Sequence, residues 1–396
     1  VDAPPHVAAL GHDLMRGLKD GQPFWLMEQT PGTTACRDVN PLKRPGELRL
    51  HSWQAVAHGA DAVLFFQLRA SRGASEKYHG AVIGHAGRAD TRVFQEVAAL
   101  GAELEALGGA TLGARTDARV ALLFDWDSWW ALELSDGPSR LVRYLPVVGS
   151  YYRALWDAGA DVDVVPVTAD LTGYDVVVAP ALHVLKGDLP ARLEAVARRG
   201  GTVLATFLSG RVDEHDQAWL MDVPGPLGDL LGVRIDEWDA RGPSFVNPVR
   251  LGDGALESAA RLLFELVIPR GAETVGRYQA DFYAGTPAVT RHRFGAGHGW
   301  YVATGLDESG VDWVVRQVLA GHGLTGPYAD VPGLESTVRV APDGTRLRFL
   351  LNHGTEPVSV AARAAGTDLL TGVRVAAGAP LRLDPYGVAV LREAGQ

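Results

Sequence analysis

The 396-residue chain is 47% hydrophobic and 21% charged, with a net charge of −10 and a pI near 5.6. That length exceeds one compact core and suits two or three domains. The acidic balance argues against a nucleic-acid backbone or an anionic membrane surface as main partner, since both need clustered Lys and Arg; a small neutral ligand fits better.

Cys36 is the single cysteine, which excludes an internal disulfide framework and a multi-cysteine metal site and fits a reducing cytoplasm. No apolar run approaches the roughly 18 to 20 residues that cross a bilayer. The opening "VDAPPHVAALGHDLMRGLKDG" lacks the basic start and unbroken apolar centre of a secretion signal. The chain starts at Val1 rather than Met, so we expect further residues upstream.

In chain order, residues 6 to 19 have helical spacing and stop at Gly21, and "PFWLME" reads as a strand buried on both faces. "PGELRLHSWQAVAHGA" predicts a helix ending at Gly59, "DAVLFFQL" a second continuously apolar strand, and "DTRVFQEVAALGAELEAL" a third helix before Gly108-Gly109. This is a run of parallel β/α units. Two such strands cannot bury themselves, so residues 1–115 read as the end of a larger α/β sheet or barrel.

Alternation restarts after "LGGATLGARTD" with the strand "RVALLFDWD", a helix around "YLPVVGSYYRALWDAGA", strands "DVDVV" and "YDVVVAP", the helix "DLPARLEAVARRGG" and the strand "TVLATF". With strands near "TPAVTRHRF" and "GWYVAT" and a helix from about Ser309 to Leu319, residues 116–325 read as a self-sufficient doubly wound domain. From residue 326 the chain carries short alternating runs from Val331 onward, broken by Asp-Gly, His-Gly and Pro-Tyr-Gly turns, which predicts a small antiparallel β domain to residue 396.

Glu28 closes an apolar strand at its C-terminal end, where parallel α/β folds gather their active-site loops. A carboxylate there either reaches the mouth or is buried and paired, and it can equally be an ionised strand end. The next strand leaves the sheet at Gln67 or Leu68 and presents Arg69, Arg72, Glu76, Lys77, Tyr78 and His79 in a short loop. That set suits the rim of a polar-ligand site, or simply a charged solvent loop.

"FWLMEQTP", "NPLKRPGELRLHSWQAVAHGADAVLFFQLRASRGASEKYHGAV", "LTGYDVVVAP" and "GPLGDLLGV" together resemble glycoside hydrolase family 42, over essentially the whole chain and in consistent order. The resemblance implies an α/β fold: the terminal part of a (β/α)8 TIM barrel, a doubly wound flavodoxin- or glutamine-amidotransferase-like trimerisation domain, and a C-terminal antiparallel β domain. It implies a retaining β-galactosidase with Glu28 as nucleophile, Glu76 and His79 as galactose-hydroxyl ligands, Phe66 lining the sugar pocket, no cofactor and a homotrimer. Phe66, an aromatic on a buried strand, also reads as core. An α-L-arabinopyranosidase of the same family, and a non-catalytic oligomerisation or carbohydrate-binding module, are the alternatives.

Two departures stand out. Cys36 occupies the position, eight residues after the nucleophile, where the family commonly carries tryptophan, and a thiol cannot stack on a sugar face as an indole does. The family's acid/base glutamate lies in an Asn-Glu pair, and the sequence contains none. We therefore expect that glutamate outside these residues.

The turn after "TVLATF" reads Leu208-Ser209-Gly210, with no cysteine to serve as an amidotransferase nucleophile; Ser209 with His215 makes only a weak hydrolase pair. "RHRFGAGHGWYVAT" reads as a hairpin and not a dinucleotide loop. "FDWDSWWALE" suits gripping a sugar face, contacting a neighbouring subunit, or ordinary packing. The twelve histidines show no metal spacing.

Overall fold

The computed structural model describes residues 3–394. They fall into two compact units, one of residues 3–117 with 326–394 and one of Ala118–Thr325.

The first unit opens with α1 (Pro5–Gly17), whose Pro5 sits at the helix start, where a missing N–H costs nothing. Next come β1 (Phe24–Gln29), α2 (Glu47–Ala57) and β2 (Ala60–Phe65), with β1 and β2 parallel and α2 as the crossover. Then come α3 (Arg92–Leu107), capped by Thr91 Oγ1 accepting from the Phe94 N–H, and the short β3 (Arg115–Thr116). The β1 strand departs from expectation. Trp25 and Met27 are 63% and 64% exposed, because α2 covers one face of the pair and, among the described residues, β1 has no other strand neighbour.

The second unit begins with β4 (Val120–Phe124), α4 (Trp126–Leu134), α5 (Tyr144–Asp157), β5 (Val162–Pro166), β6 (Val176–Ala179), α6 (Leu189–Arg198) and β7 (Thr202–Thr206). It continues through α7 (Gly228–Leu231), β8 (Val233–Ala240), β9 (Asn247–Leu251), β10 (Leu256–Pro269), β11 (Glu273–Tyr278), β12 (Pro287–Phe294), β13 (Gly297–Val302), β14 (Thr304–Leu306) and α8 (Glu308–Ala320). Strands β5-β4-β6-β7-β13 lie side by side and parallel, the arrangement of a doubly wound sheet. The sheet then runs on past β13 through antiparallel β12, β11, β9, β10 and β14, making 11 strands with β8 on β10. The sequence reading misses β8 to β11. Their charged residues interrupt the apolar runs, since this wing is covered unevenly on its two faces. It also misses α4, which starts directly after β4 with Asp125 as N-cap, its carboxylate accepting from the Ser128 N–H. The β12–β13 link is a hairpin, as expected.

The tail adds β15 (Leu334–Val340), β16 (Arg346–Asn352), β17 (Val358–Ala361), β18 (Gly366–Asp368), β19 (Arg374–Val375), β20 (Pro380–Leu383) and β21 (Val388–Glu393). Its main sheet has the order β19-β18-β21-β16-β15-β3, and β17 pairs with β20. Leu347, Phe349, Leu351 and Val390 share one core with Leu48, Trp53 and Val56 of α2 and Leu100 of α3. This explains why α2 has no polar face: the β1–β2 pair flanks one side of it and the tail sheet another.

Arg339 and His58 anchor that contact through several hydrogen bonds. Arg339, 0% exposed, donates from Nη1 to Val56 O at 3.0 Å and from Nη2 to Ala114 O at 3.0 Å. His58, at the end of α2, faces Asp13 Oδ1 with Nδ1 and Glu335 Oε1 with Nε2, both at 2.6 Å. Both ring nitrogens meet carboxylate oxygens, so the ring is held as imidazolium. Burial pulls its pKa down, but the Asp13 and Glu335 charges and their hydrogen bonds outweigh that and raise it to about 10. Among the described residues, no helix is long and apolar enough to cross a membrane.

Candidate functional site

Glu28 lies near the C-terminal end of β1. Its neighbour Gln29 turns toward α2, where Nε2 donates to Ser52 Oγ at 2.9 Å, and the pairing of β1 with β2 is irregular between Leu26 and Gln29, so strict alternation does not hold there. Glu28 is exposed, as are Trp25 and Met27 of the same strand. No buried partner engages its carboxylate among the described residues. Its placement is therefore not that of a paired core acid.

The loops that follow β1 and β2 are locked together. Phe66 N–H donates to Gln29 O at 3.1 Å, extending the strand pairing by one step, and Gly80 N–H donates to Thr33 O at 2.7 Å. A Cβ on Gly80 would come within 2.8 Å of Gly32 Cα and Thr33 N, so only glycine permits this approach of two backbones. Thr30 Oγ1 lies 2.9 Å from His79 Nε2, and the edge of one ring meets the face of the other where Phe66 and His79 stand 5.1 Å apart at 81°. His79 is thereby fixed between Thr30 and Phe66. The structure thus brings Phe66 and His79 into contact, and Phe66 to the residue after Glu28.

Glu76 sits in a short 3-10 turn, Ser75–Tyr78, and is exposed. Its backbone carbonyl accepts from the His79 N–H at 2.9 Å, while Ser71 Oγ links to Gln67 Oε1 at 2.9 Å and approaches Glu76 Oε2 at 3.5 Å. Gln67 Nε2 is buried without a partner among the described residues. Lys43 was not singled out by its sequence, yet its Nζ donates to Thr30 O, on the loop leaving β1. Burial lowers the Lys43 pKa to about 8, against the raising effect of Glu47. A lone Lys in "NPLKRP" gives no periodic signal of burial, which is why sequence reasoning passes over it.

Cys36 is exposed. The Ser209 and His215 pair does not form: Ser209 is 0% exposed with its Oγ accepting from the Leu182 N–H at 3.1 Å, and His215 is exposed. The turn it occupies does have the tight backbone of a nucleophile elbow, with Leu208 at φ 63°, but leucine has no nucleophilic atom. Among the described residues, no three His, Cys, Asp or Glu side chains gather as a metal site.

The β/α pair carrying an acid at its mouth, the large mixed sheet and the antiparallel tail agree with comparisons to known proteins. Residues 1–107 match the family described as "Beta-galactosidase", 118–325 the "Beta-galactosidase trimerisation domain" and 333–393 the "Beta-galactosidase C-terminal domain". The chain belongs to the glycoside hydrolase family 42 β-galactosidases. It is 46% identical over 366 residues to beta-galactosidase BgaA of Planococcus sp. (strain 'SOS Orange'), covering 91% of this chain and 54% of that protein. Against beta-galactosidase LacZ of Lactobacillus acidophilus it is 39% identical, covering 94% of this chain and 55% of the other. The crystal structure of beta-galactosidase from Bacillus circulans sp. alkalophilus superposes with a TM-score of 0.95 at 41% identity, over 100% of this chain and 59% of that one. The chain thus spans about half the length of the relatives it matches.

Proposed function

We propose that these residues form part of a retaining glycosidase that removes terminal non-reducing β-D-galactosyl units. In this reading residues 1–115 are the end of a (β/α)8 barrel, 116–325 an amidotransferase-like trimerisation domain and 326–396 a C-terminal β domain. The observation that carries it is Glu28: an exposed acid near the C-terminal end of a parallel strand, followed by loops that fix a histidine against an aromatic ring.

Glu28 attacks the anomeric carbon from below as the glycosidic oxygen leaves, protonated by a second carboxyl, and a glycosyl ester forms. Water, deprotonated by that second carboxyl, then resolves the ester. Retention requires the two carboxyls about 5 to 5.5 Å apart. The second is assigned outside these residues, because the family's Asn-Glu pair is absent from the sequence. Glu76 accepts from a galactose hydroxyl, His79 donates to or accepts from another, and Phe66 walls the pocket. The chemistry calls for no cofactor. A homotrimer is the assembly supported by the family match over 118–325.

The test is Glu28→Gly in the longest natural chain carrying these residues, assayed on an aryl β-galactoside. Activity should fall by several orders of magnitude, and azide should restore turnover and yield a galactosyl azide; no rescue counts against a nucleophile. Parallel assays with an aryl α-L-arabinopyranoside, which lacks the hydroxymethyl group, separate the two pyranosidase activities.

A further inference from the structure

The loop that carries Glu76 leaves β2 along a fixed path. Val82 N–H donates to Gln67 O at 2.9 Å, Ile83 N–H to Leu68 O at 2.7 Å and Ala70 N–H to Ile83 O at 2.9 Å, so its first residues are clamped against residues 82 and 83. His85 Nε2 lies 2.8 Å from Ser71 O and donates to it, since a carbonyl can only accept. The backbones of Gln67 and Ser71 are thereby held. Glu76 stands on an exposed turn, and among the described residues the Ser71 hydroxyl is the one group that approaches its carboxylate.

That hydroxyl has one proton and two acceptors in reach. Ser71 Oγ donates to Gln67 Oε1 at 2.9 Å and stands 3.5 Å from Glu76 Oε2. At the other end of the same amide, Gln67 Nε2 is buried with no partner among the described residues. A buried donor left unpaired is costly, and one enclosed by this chain's own atoms cannot be served from outside. A half-turn about the last bond of the Gln67 side chain exchanges amide nitrogen and oxygen and relieves both conflicts. Nε2 then donates to Ser71 Oγ, and the Ser71 proton is free for Glu76 Oε2. The carbonyl oxygen that takes the enclosed position tolerates missing a partner better than an N–H does.

We propose that Gln67 and Ser71 are positioning residues for Glu76, joined in a donor relay from Gln67 Nε2 to Ser71 Oγ and from the Ser71 hydroxyl to Glu76 Oε2. The relay engages one carboxylate oxygen and leaves Oε1 to accept from the sugar, so it sets the direction in which Glu76 offers its lone pairs. A small turn of this exposed side chain closes the 3.5 Å gap to the usual O–H···O length of about 2.8 Å. This rests on the reading of Glu76 as a sugar ligand given above.

The experiment measures kcat and KM for an aryl β-galactoside in the longest natural chain carrying these residues. Ser71→Ala should raise KM about tenfold, the loss of one hydrogen bond to a charged group, with kcat held within about twofold. Ser71→Thr keeps the hydroxyl and should restore KM. Gln67→Glu should resemble Ser71→Ala, because a carboxylate only accepts and draws the Ser71 proton away from Glu76. In a Glu76→Ala background, adding Ser71→Ala should change kcat/KM by less than about twofold, since nothing remains to be aimed. Ser75→Ala, an exposed hydroxyl of the same turn, is the control and should match wild type. Wild-type KM in Ser71→Ala or in Gln67→Glu overturns the relay, as does a double variant whose losses simply multiply. Wild-type kcat/KM in Glu76→Ala overturns the sugar-ligand reading of Glu76 and the relay with it. Should thermal melts show that Gln67→Glu unfolds, the Ser71 variants and the double variant carry the comparison.

Discussion

Glu335→Gln isolates the buried charge cluster that joins the two ends of the sequence within one unit. Glu335 is 4% exposed and takes hydrogen bonds from three directions: His58 Nε2 at 2.6 Å, His353 Nε2 at 2.7 Å and Gln54 Nε2 at 3.1 Å. The amide keeps the shape but removes the charge, and leaves the imidazolium of His58 with Asp13 alone. Breaking a buried pair from one side costs about 3–5 kcal/mol, and the retained Asp13 places this case near 3. At about 2–4 °C per kcal/mol, Tm should fall by roughly 6–12 °C.

The pH dependence gives a sharper reading of the same variant. Burial alone would raise the Glu335 pKa, but the His58 charge and the His353 and His58 hydrogen bonds hold it well below the usual value of 4.5. Its stabilisation is therefore present above pH 4.5 and lost as pH falls through the folded-state value. His58 is raised from 6.5 to about 10, so its stabilisation is full below pH 6.5 and lost as pH rises toward 10. The wild type should exceed Glu335→Gln most near pH 5 to 6 and converge with it in stronger acid. Thermal unfolding followed by calorimetry across pH is the assay. A difference below about 1 kcal/mol at pH 6, or one that stays constant into acid, refutes the paired-charge account.

Gly80→Ala drives a methyl into the Gly32 and Thr33 backbone and should cost about 1–3 kcal/mol and raise KM for an aryl galactoside. Gly73→Ala, with nothing within 4 Å, should stay within about 0.5 kcal/mol in the same melts. Lys43→Met removes the donor to Thr30 O, so turnover should drop more than stability does. Because the Lys43 pKa is lowered to about 8, the unfolded chain binds more protons there between pH 8 and 10.5. The wild type should gain stability over that interval relative to the variant, by urea titration. In the second unit, Tyr301→Phe removes the hydroxyl that donates to the fully buried Glu265 at 2.5 Å, leaving Arg211 and the Leu208 N–H in place. Denaturant melts should show a loss of about 1.5–3 kcal/mol.

The sequence by itself determined the elements with a clear period: α1, β1, α2, β2 and α3, then the parallel strands β4 to β7 and the helices α5, α6 and α8. Their apolar spacing records which faces are covered, a local property of the chain. It also marked Glu28, because an acid ending an apolar strand breaks a pattern, and the loop bearing Glu76 and His79, because its polar residues cluster.

Tertiary structure alone decided what lies far apart along the chain. What α2 faces is one case: Ser52 and Gln54 of α2 and His58 just beyond it are satisfied inside the unit, the last two by Glu335, some 280 positions away. The antiparallel wing from β8 to β11 escapes periodicity for a related reason, as its strands are half covered and irregularly paired. The contact of Phe66 with His79, the glycine passage at Gly80 and the buried Lys43 are likewise products of two loops meeting. Local chemistry names the residues that can act; only the folding of distant segments onto one another sets what each one faces.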